Sequence, residues 1–270
     1  MDVVLIGAGN LGTSMAHALA RAGMRLTQVV ARSTASALRL AQPLEASAAP
    51  LDSLSPRADL YLLAVPDAQI APVLAAMPPL AGLVLHTSGT TPMAIFDAQR
   101  HPHHGVLYPL QTFSRHRVVP LADVPLCVEG CTPEITAQIE ALAQQLSQHV
   151  VRMDSPQRAW LHLMGVMGCN FVNHMLALAQ RVGQPHGIDL ALLRPLLSET
   201  VSKAFDSGDP ALAQTGPAAR RDASTISQHV AMLSTIDEYL PELYNMLTHS
   251  IMRISERITP NFKCIVANEP

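Results

Sequence analysis

The string Gly7-Ala8-Gly9-Asn10-Leu11-Gly12 has the spacing G-x-G-x-x-G. It follows Val3-Val4-Leu5-Ile6, a continuous apolar run, and opens a stretch in which Leu11, Met15, Leu19 and Ala22 recur at helical spacing. A buried strand, a glycine turn and a helix in that order form a site for a dinucleotide pyrophosphate. Gly7 permits the tight turn, Gly9 removes the side chain that would block the phosphates, and Gly12 lets helix and strand pack closely. The free N–H groups of the helix start then face the anion. Gly7, Ala8, Gly9, Asn10, Leu11 and Gly12 are together the expected cradle. A glycine turn that binds nothing is the plain alternative.

About twenty residues further on, Ala31-Arg32-Ser33 closes the next apolar run. An acid there would accept hydrogen bonds from a ribose 2′-OH and repel a 2′-phosphate. A guanidinium beside a hydroxyl does the reverse, by charge and by fork geometry. Arg32 and Ser33 therefore predict NADP(H) over NAD(H). Val65-Pro66, after the run Leu60 to Val65, offers an apolar wall for a ribose or nicotinamide. His86-Thr87-Ser88-Gly89 closes another run, and Ser88 could hydrogen-bond a substrate carboxylate or the nicotinamide amide; a turn or capping role serves as well. Tyr108 and Gln111 lie in a segment expected to face a cleft between domains, as substrate contacts. The run His101-Pro102-His103-His104 reads as a solvated loop, because Asp97 is the nearest carboxylate and no cysteine is near; no metal site is expected.

The second half carries polar groups of its own. At 100° per residue, His162, Val166, Asn170 and Asn173 fall within roughly 80° on an otherwise apolar helix. Asn170 and Asn173 would orient a substrate oxygen or the nicotinamide; a helix–helix hydrogen bond accounts for them equally well. In Thr215-Gly216-Pro217-Ala218-Ala219-Arg220-Arg221-Asp222, Asp222 is a helix cap, and Arg220 could hold a substrate carboxylate. Lys203 could act as a general acid, although an exposed lysine is the simpler reading.

These residues need a scaffold, and the chain pattern supplies one. Over residues 1–153, short apolar runs alternate with helical patterns: strands at Val3–Ile6, Leu26–Ala31, Leu60–Val65, Leu83–His86, Val106–Tyr108, Val124–Val128 and His149–Met153. Helices lie between, one capped by Thr34 and one from Pro133 to Gln148. That rhythm predicts an α/β fold, a doubly wound sheet. From 154 to 270 the pattern is helical, broken at Gly183–Gly187, Ser207–Pro217 and Pro241, with no assignment after Thr259. An all-α domain for substrate and dimerisation is expected there.

Composition agrees. Of 270 residues 49% are apolar and 14% charged, with a net charge of −3. A sizeable core can be buried, and nothing basic exists to neutralise nucleic acid or an anionic membrane. Four scattered cysteines and an N-terminus without a basic leader predict a cytoplasmic protein with free thiols. Trp160 to Val182 holds too many polar groups for a lipid-facing span.

Taken together, GAGNLG, LLAVPDAQI, HTSG, YPLQTF, the NFVNH helix, and TGPAARRD with His229 after it resemble a known family. The N-terminal half is similar to the Rossmann domain of the 6-phosphogluconate dehydrogenase-like group. That group includes pyrroline-5-carboxylate reductase, ketopantoate reductase and deazaflavin-dependent NADP reductases. The C-terminal half resembles the helical domain of unknown function 2520, found fused to such Rossmann domains in NADP oxidoreductases. Two positions depart from that family's pattern: Tyr108 stands where it usually has histidine, and Arg221 where it usually has glycine. The resemblance implies an NADPH-dependent oxidoreductase that reduces a C=O or C=N bond of a small carboxylate, a ketopantoate reductase-like reaction being one form. The alternatives are a non-catalytic NADP(H)-binding sensor or partner, and a deazaflavin-dependent NADP reductase. The apolar circumference of the long helix predicts a homodimer.

Overall fold

The computed structural model describes residues 1–114 and 117–266, with side chains up to Arg257. The chain forms two compact units, Met1–Cys169 and the part from Asn170 onward.

The first unit is built on one eight-stranded sheet in the order β3-β2-β1-β4-β5-β6-β7-β8. The strands are β1 (Asp2–Ile6), β2 (Arg25–Val30), β3 (Ser47–Ala49), β4 (Leu60–Leu63), β5 (Leu83–His86), β6 (His104–Pro109), β7 (Leu126–Gly130) and β8 (Val150–Arg152). All neighbours are parallel except β6 and β7. The order 3-2-1-4-5-6 is that of a doubly wound dinucleotide-binding sheet, whose switch point lies between β1 and β4.

The apolar runs exist because both faces are covered. Val3 and Leu5 join one core layer with Met15 and Leu19 of α1 (Asn10–Arg21) and Ile139 and Leu142 of α4 (Pro133–Gln144). Val4 and Ile6 join the opposite layer with Ile70 and Leu74 of α3 (Asp67–Ala76).

Several boundaries differ from the sequence expectations, each for a local reason. Ser33, not Thr34, caps α2 (Thr34–Ala41), its hydroxyl accepting from the Ser36 N–H. The three-residue β3 begins at a serine and is too short for any alternation to register. β7 starts at Leu126 because the Val124 N–H closes a turn on the Leu121 carbonyl. α4 ends at Gln144, after which the Ser147 hydroxyl bonds to the Val124 carbonyl (2.6 Å) and draws the chain off the helix axis. The histidine run is not a solvated loop. His101 and His104 are buried; His104 opens β6, packs its ring at a tilt against Phe96 (centroids 4.8 Å apart) and donates from Nδ1 to the His101 carbonyl (2.7 Å).

α5 (Ser155–Gly165) begins at Asp154, whose side chain accepts from the Gln157 N–H in a reciprocal capping box. A π turn, Val166–Asn170, links it to α6 (Phe171–Gly183). By length and composition the helical run Ser155–His186 could cross a membrane. After it come α7 (Arg194–Asp206), the short α8 (Pro217–Arg220), α9 (Ala223–Leu233) and α10 (Leu240–Val266). Asp222 caps α9, its carboxylate accepting from the Thr225 N–H (3.0 Å). Pro241 does not break a helix; it sits in the first turn of α10, where its missing N–H costs nothing. α10 also carries through 259–266, which no pattern assigned.

Arg221 ends α8 in the left-handed region (φ 55°) and pairs with Glu256 on α10. The backbone explains why a glycine suits this position and what arginine adds instead. Arg221→Gly relieves the strained φ while losing an exposed ion pair, so it should leave stability within about 0.5 kcal/mol. Arg221→Val should cost about 1–2 kcal/mol, because a β-branched side chain is excluded from that conformation. Urea unfolding of the two variants checks both values.

Candidate functional site

The glycine turn is built as its spacing requires. Gly7 has φ +113°, and a Cβ there would lie 2.2 Å from the Ala64 carbonyl oxygen. A Cβ on Gly12 would lie 2.1 Å from the Gly7 carbonyl oxygen, so only glycine lets α1 approach β1. Gly9 is different: a Cβ there would meet nothing within 4 Å. The space it leaves opens on a cleft of about 820 Å³, lined by Gly7, Ala8, Gly9, Arg32, Ser33, Val65 and Pro66 among others. Gly9 caps α1 with no side chain, and the first turn of α1 holds no acid, so the N–H groups at that helix end keep their partial positive charge for a ligand.

Arg32 is exposed and has no ion pair among the described residues. Ser33 uses its lone pair on the cap of α2 and keeps its O–H to donate. The Asn10 side chain donates to the Phe113 carbonyl (3.2 Å), and Leu11 packs on the core. An open cradle, unpaired N–H groups and an unpaired guanidinium fit a phosphate-bearing dinucleotide.

A second cluster lies at the carboxyl ends of β5 and β6. His86, the last residue of β5, is fully buried and stacked on Phe96 at 5.5 Å. Its Nδ1 accepts from the Ser88 N–H (3.2 Å), which puts the ring proton on Nε2. The Ser88 hydroxyl accepts from the N–H groups of Thr90 (3.1 Å) and Thr91 (2.9 Å), so it closes the turn while its own O–H stays available. Asp67, in the first turn of α3, accepts from the Thr90 hydroxyl (2.7 Å) and ties the two loops together.

Tyr108 is the group that this cluster surrounds. Its hydroxyl is hydrogen-bonded to His162 Nδ1 of α5 at 3.2 Å. Burial pushes the Tyr108 hydroxyl up to about 12, so it stays protonated. Gly89 permits the pair: a Cβ there would lie 2.7 Å from His162 Nδ1 and 2.9 Å from Tyr108 Cζ. The glycine of the HTSG string is therefore required by the tyrosine–histidine contact.

Arg158, one turn before His162 on α5, is buried and locks this arrangement. Its Nε donates to the Ser88 carbonyl (3.1 Å), and its Nη2 to the Thr91 carbonyl (2.7 Å) and the Ser155 hydroxyl (3.2 Å). Its Nη1 pairs with Glu129 of β7. Sequence reading missed both Arg158 and Glu129; Arg158 follows Asp154-Ser155-Pro156-Gln157, a polar helix start in which an arginine reads as solvated.

The other anticipated residues are placed as follows. Gln111 accepts from the Thr112 N–H (2.7 Å), a bond within its own turn. The expected stripe from His162 through Asn170 to Asn173 does not hold, because the π turn between them breaks the 100° progression. His162 turns to Tyr108, while Asn170 and Asn173 are exposed rather than buried amides. Arg220 is exposed, and neither it nor Lys203 has an ion pair among the described residues. In the same unit His229 Nδ1 is hydrogen-bonded to the Tyr244 hydroxyl at 2.9 Å.

His86 gives this cluster a pH signature. Burial, then the nearby Arg158 charge, holds it at about 3, against an ordinary value near 6.5. Between those values the unfolded chain binds a proton that the folded chain refuses, so stability falls as pH drops through that window. Burial shifts His101 the same way. Unfolding free energy measured in urea should be flat above pH 7 and fall below pH 6, by up to roughly 1.4 kcal/mol per pH unit for each such histidine. His86→Phe should remove one histidine's share of that slope.

Known proteins resemble both parts of the chain. Residues 1–109 match the model of a Rossmann-like domain, and residues 124–251 match a domain of unknown function, DUF2520. No curated protein matches the chain. Among solved structures, a Bacteroides fragilis protein provisionally named an NADP oxidoreductase is 39% identical, with a TM-score of 0.85 over 93% of this chain and 98% of that one. A reductive aminase of Aspergillus terreus, solved with NADPH and ethyl-5-oxohexanoate, shares the fold at 17% identity and TM-score 0.72, over 94% of this chain and 97% of its own. An imine reductase of Streptomyces aurantiacus does so at 18% and 0.61, over 94% of each.

Proposed function

The chain belongs to the family that joins a Rossmann-like domain to the DUF2520 domain, and from that premise we propose that it is an NADPH-dependent oxidoreductase that reduces a C=O or C=N bond of a small carboxylate. The observation that carries this reading is the open cradle at Gly9 beside the unpaired guanidinium of Arg32. The relative that shares 39% of its residues is named for NADP, which agrees with that donor set.

NADPH, when bound, supplies the hydride. The chain's own residues do the rest. The first turn of α1 holds the pyrophosphate, Arg32 and Ser33 the 2′-phosphate, and Val65-Pro66 forms an apolar wall. Tyr108 is the proton donor: its hydroxyl is protonated at neutral pH and sits at the carboxyl edge of the sheet. Its proton goes to the substrate oxygen or nitrogen and is replaced from His162, the half-exposed partner at 3.2 Å. Ser88 orients the acceptor with its free O–H.

NADPH oxidation at 340 nm tests this against a panel of cyclic imines, ketones and 2-oxo acids. Imines head the panel because two proteins of this fold are named for C=N chemistry. Turnover is expected with at least one member. Tyr108→Phe should lower kcat roughly 100-fold with NADPH affinity unchanged. Tight NADPH binding without turnover on any member supports the sensor reading instead, which Tyr108 in place of the family histidine favours.

The helical unit supports a homodimer. No residue of α6, α7 or α9 is buried in the single chain, and Phe205 and Leu192 are 82% and 72% exposed. That much apolar surface marks an interface rather than a solvated face. It also accounts for the apolar run Ser155–His186 without a bilayer. Free thiols at Cys127, Cys131 and Cys169 suit the cytoplasm. Light scattering at micromolar concentration should give twice the chain mass; a monomer refutes the interface.

A further inference from the structure

Beside the Arg32 cleft lies a second, of about 810 Å³, lined by Thr13, His17, Ser36 and Arg39 among others. The two share Ala8, Gly9 and Ser36, so both open on the glycine turn and the first turn of α2. Arg39 stands one helical turn after Ser36, and its Nη2 donates to the Ser36 hydroxyl at 3.2 Å. Ser36 in turn donates its N–H to the Ser33 hydroxyl. A chain of bonds thus runs Arg39–Ser36–Ser33, with Arg32 adjoining it in sequence.

Two further facts give that chain a direction. No carboxylate lines either cleft, so nothing in them competes for a cation. Arg39, like Arg32, has no ion pair among the described residues. A phosphate monoester is close to doubly charged at neutral pH, and one exposed guanidinium is a weak match for it once screened by water. Two guanidinium groups that flank a pair of hydroxyls balance the charge and present several donors in fixed directions.

Resting on the NADPH reading above, we propose that Arg39 is the second guanidinium of the 2′-phosphate clamp, with Ser36 as the hydroxyl between it and Arg32. Preference for NADPH over NADH is then shared between a residue at the end of β2 and one on the second turn of α2. Arg39 adds nothing toward a nucleotide that lacks the 2′-phosphate.

Calorimetric titration of NADPH, NADH, 2′,5′-ADP and 5′-AMP tests the proposal on the wild-type chain, Arg39→Ala, Arg39→Lys and Arg32→Ala. Arg39→Ala should weaken NADPH and 2′,5′-ADP at least tenfold, leave NADH and 5′-AMP within twofold, and leave the melting temperature unchanged. Arg39→Lys should recover part of the loss, and added salt should narrow the gap between wild type and Arg39→Ala. If the wild type binds NADPH and Arg39→Ala binds it equally well, or weakens NADH to the same degree, the clamp is wrong and the NADPH reading stands. If the wild type binds none of the four, both fall.

Discussion

Arg158 is a guanidinium taken out of water, and the sheet edge at the carboxyl ends of β5 and β6 is arranged around keeping it satisfied. Its donors go to the carbonyls of Ser88 and Thr91, the hydroxyl of Ser155 and the carboxylate of Glu129. Removing one partner of such a buried pair costs about 3–5 kcal/mol, because the other charge is left stranded. The loop after β5, the strand β7 and the start of α5 are therefore held in one geometry. That geometry brings His162 over Gly89 and against the Tyr108 hydroxyl. It also keeps His86 neutral, since the Arg158 charge adds to the effect of burial.

The phosphate side of the site uses a different principle. Nothing there is locked by a buried charge. Gly7 and Gly12 remove atoms so that α1 and β1 can touch, and Gly9 removes one so that a ligand can enter. The attraction comes from the free N–H groups of the first turn of α1, and from the guanidinium groups of Arg32 and Arg39, which have no ion pair among the described residues and stand in clefts free of carboxylates. One side of the sheet edge is thus preorganised by internal satisfaction, the other by leaving donors for the ligand to satisfy. The first fixes the Tyr108 hydroxyl against His162, and the second leaves donors open to an anion that must arrive and depart.

The helical unit is incomplete in the opposite sense. Its helices hold their bonds, caps and turns, as Asp222 and Arg221 show, but its apolar surface faces outward. No residue of helices α6, α7 and α9 is buried in the single chain, which is the physical ground for the proposed second copy.

The phosphate turn, its three glycine roles and the parallel strands were legible because they are local. They depend on spacing within a dozen residues and on runs of apolar types that a doubly covered sheet demands. The guanidinium at Arg32 was legible because its position follows from the strand that carries it. Tyr108 and His162 lie 54 residues apart and meet only through the packing of α5 at the sheet edge. Arg158 and Glu129 are 29 apart and lie on different elements. The asparagine stripe failed because periodicity assumes an unbroken α-helix, and a π turn is invisible to it. His101 and His104 were misread because composition does not reveal which face of a strand or turn is covered. Local spacing thus determined where a dinucleotide can sit. Which side chains meet at the sheet edge was decided by contacts between distant segments, since burial and close approach are properties of the packed chain.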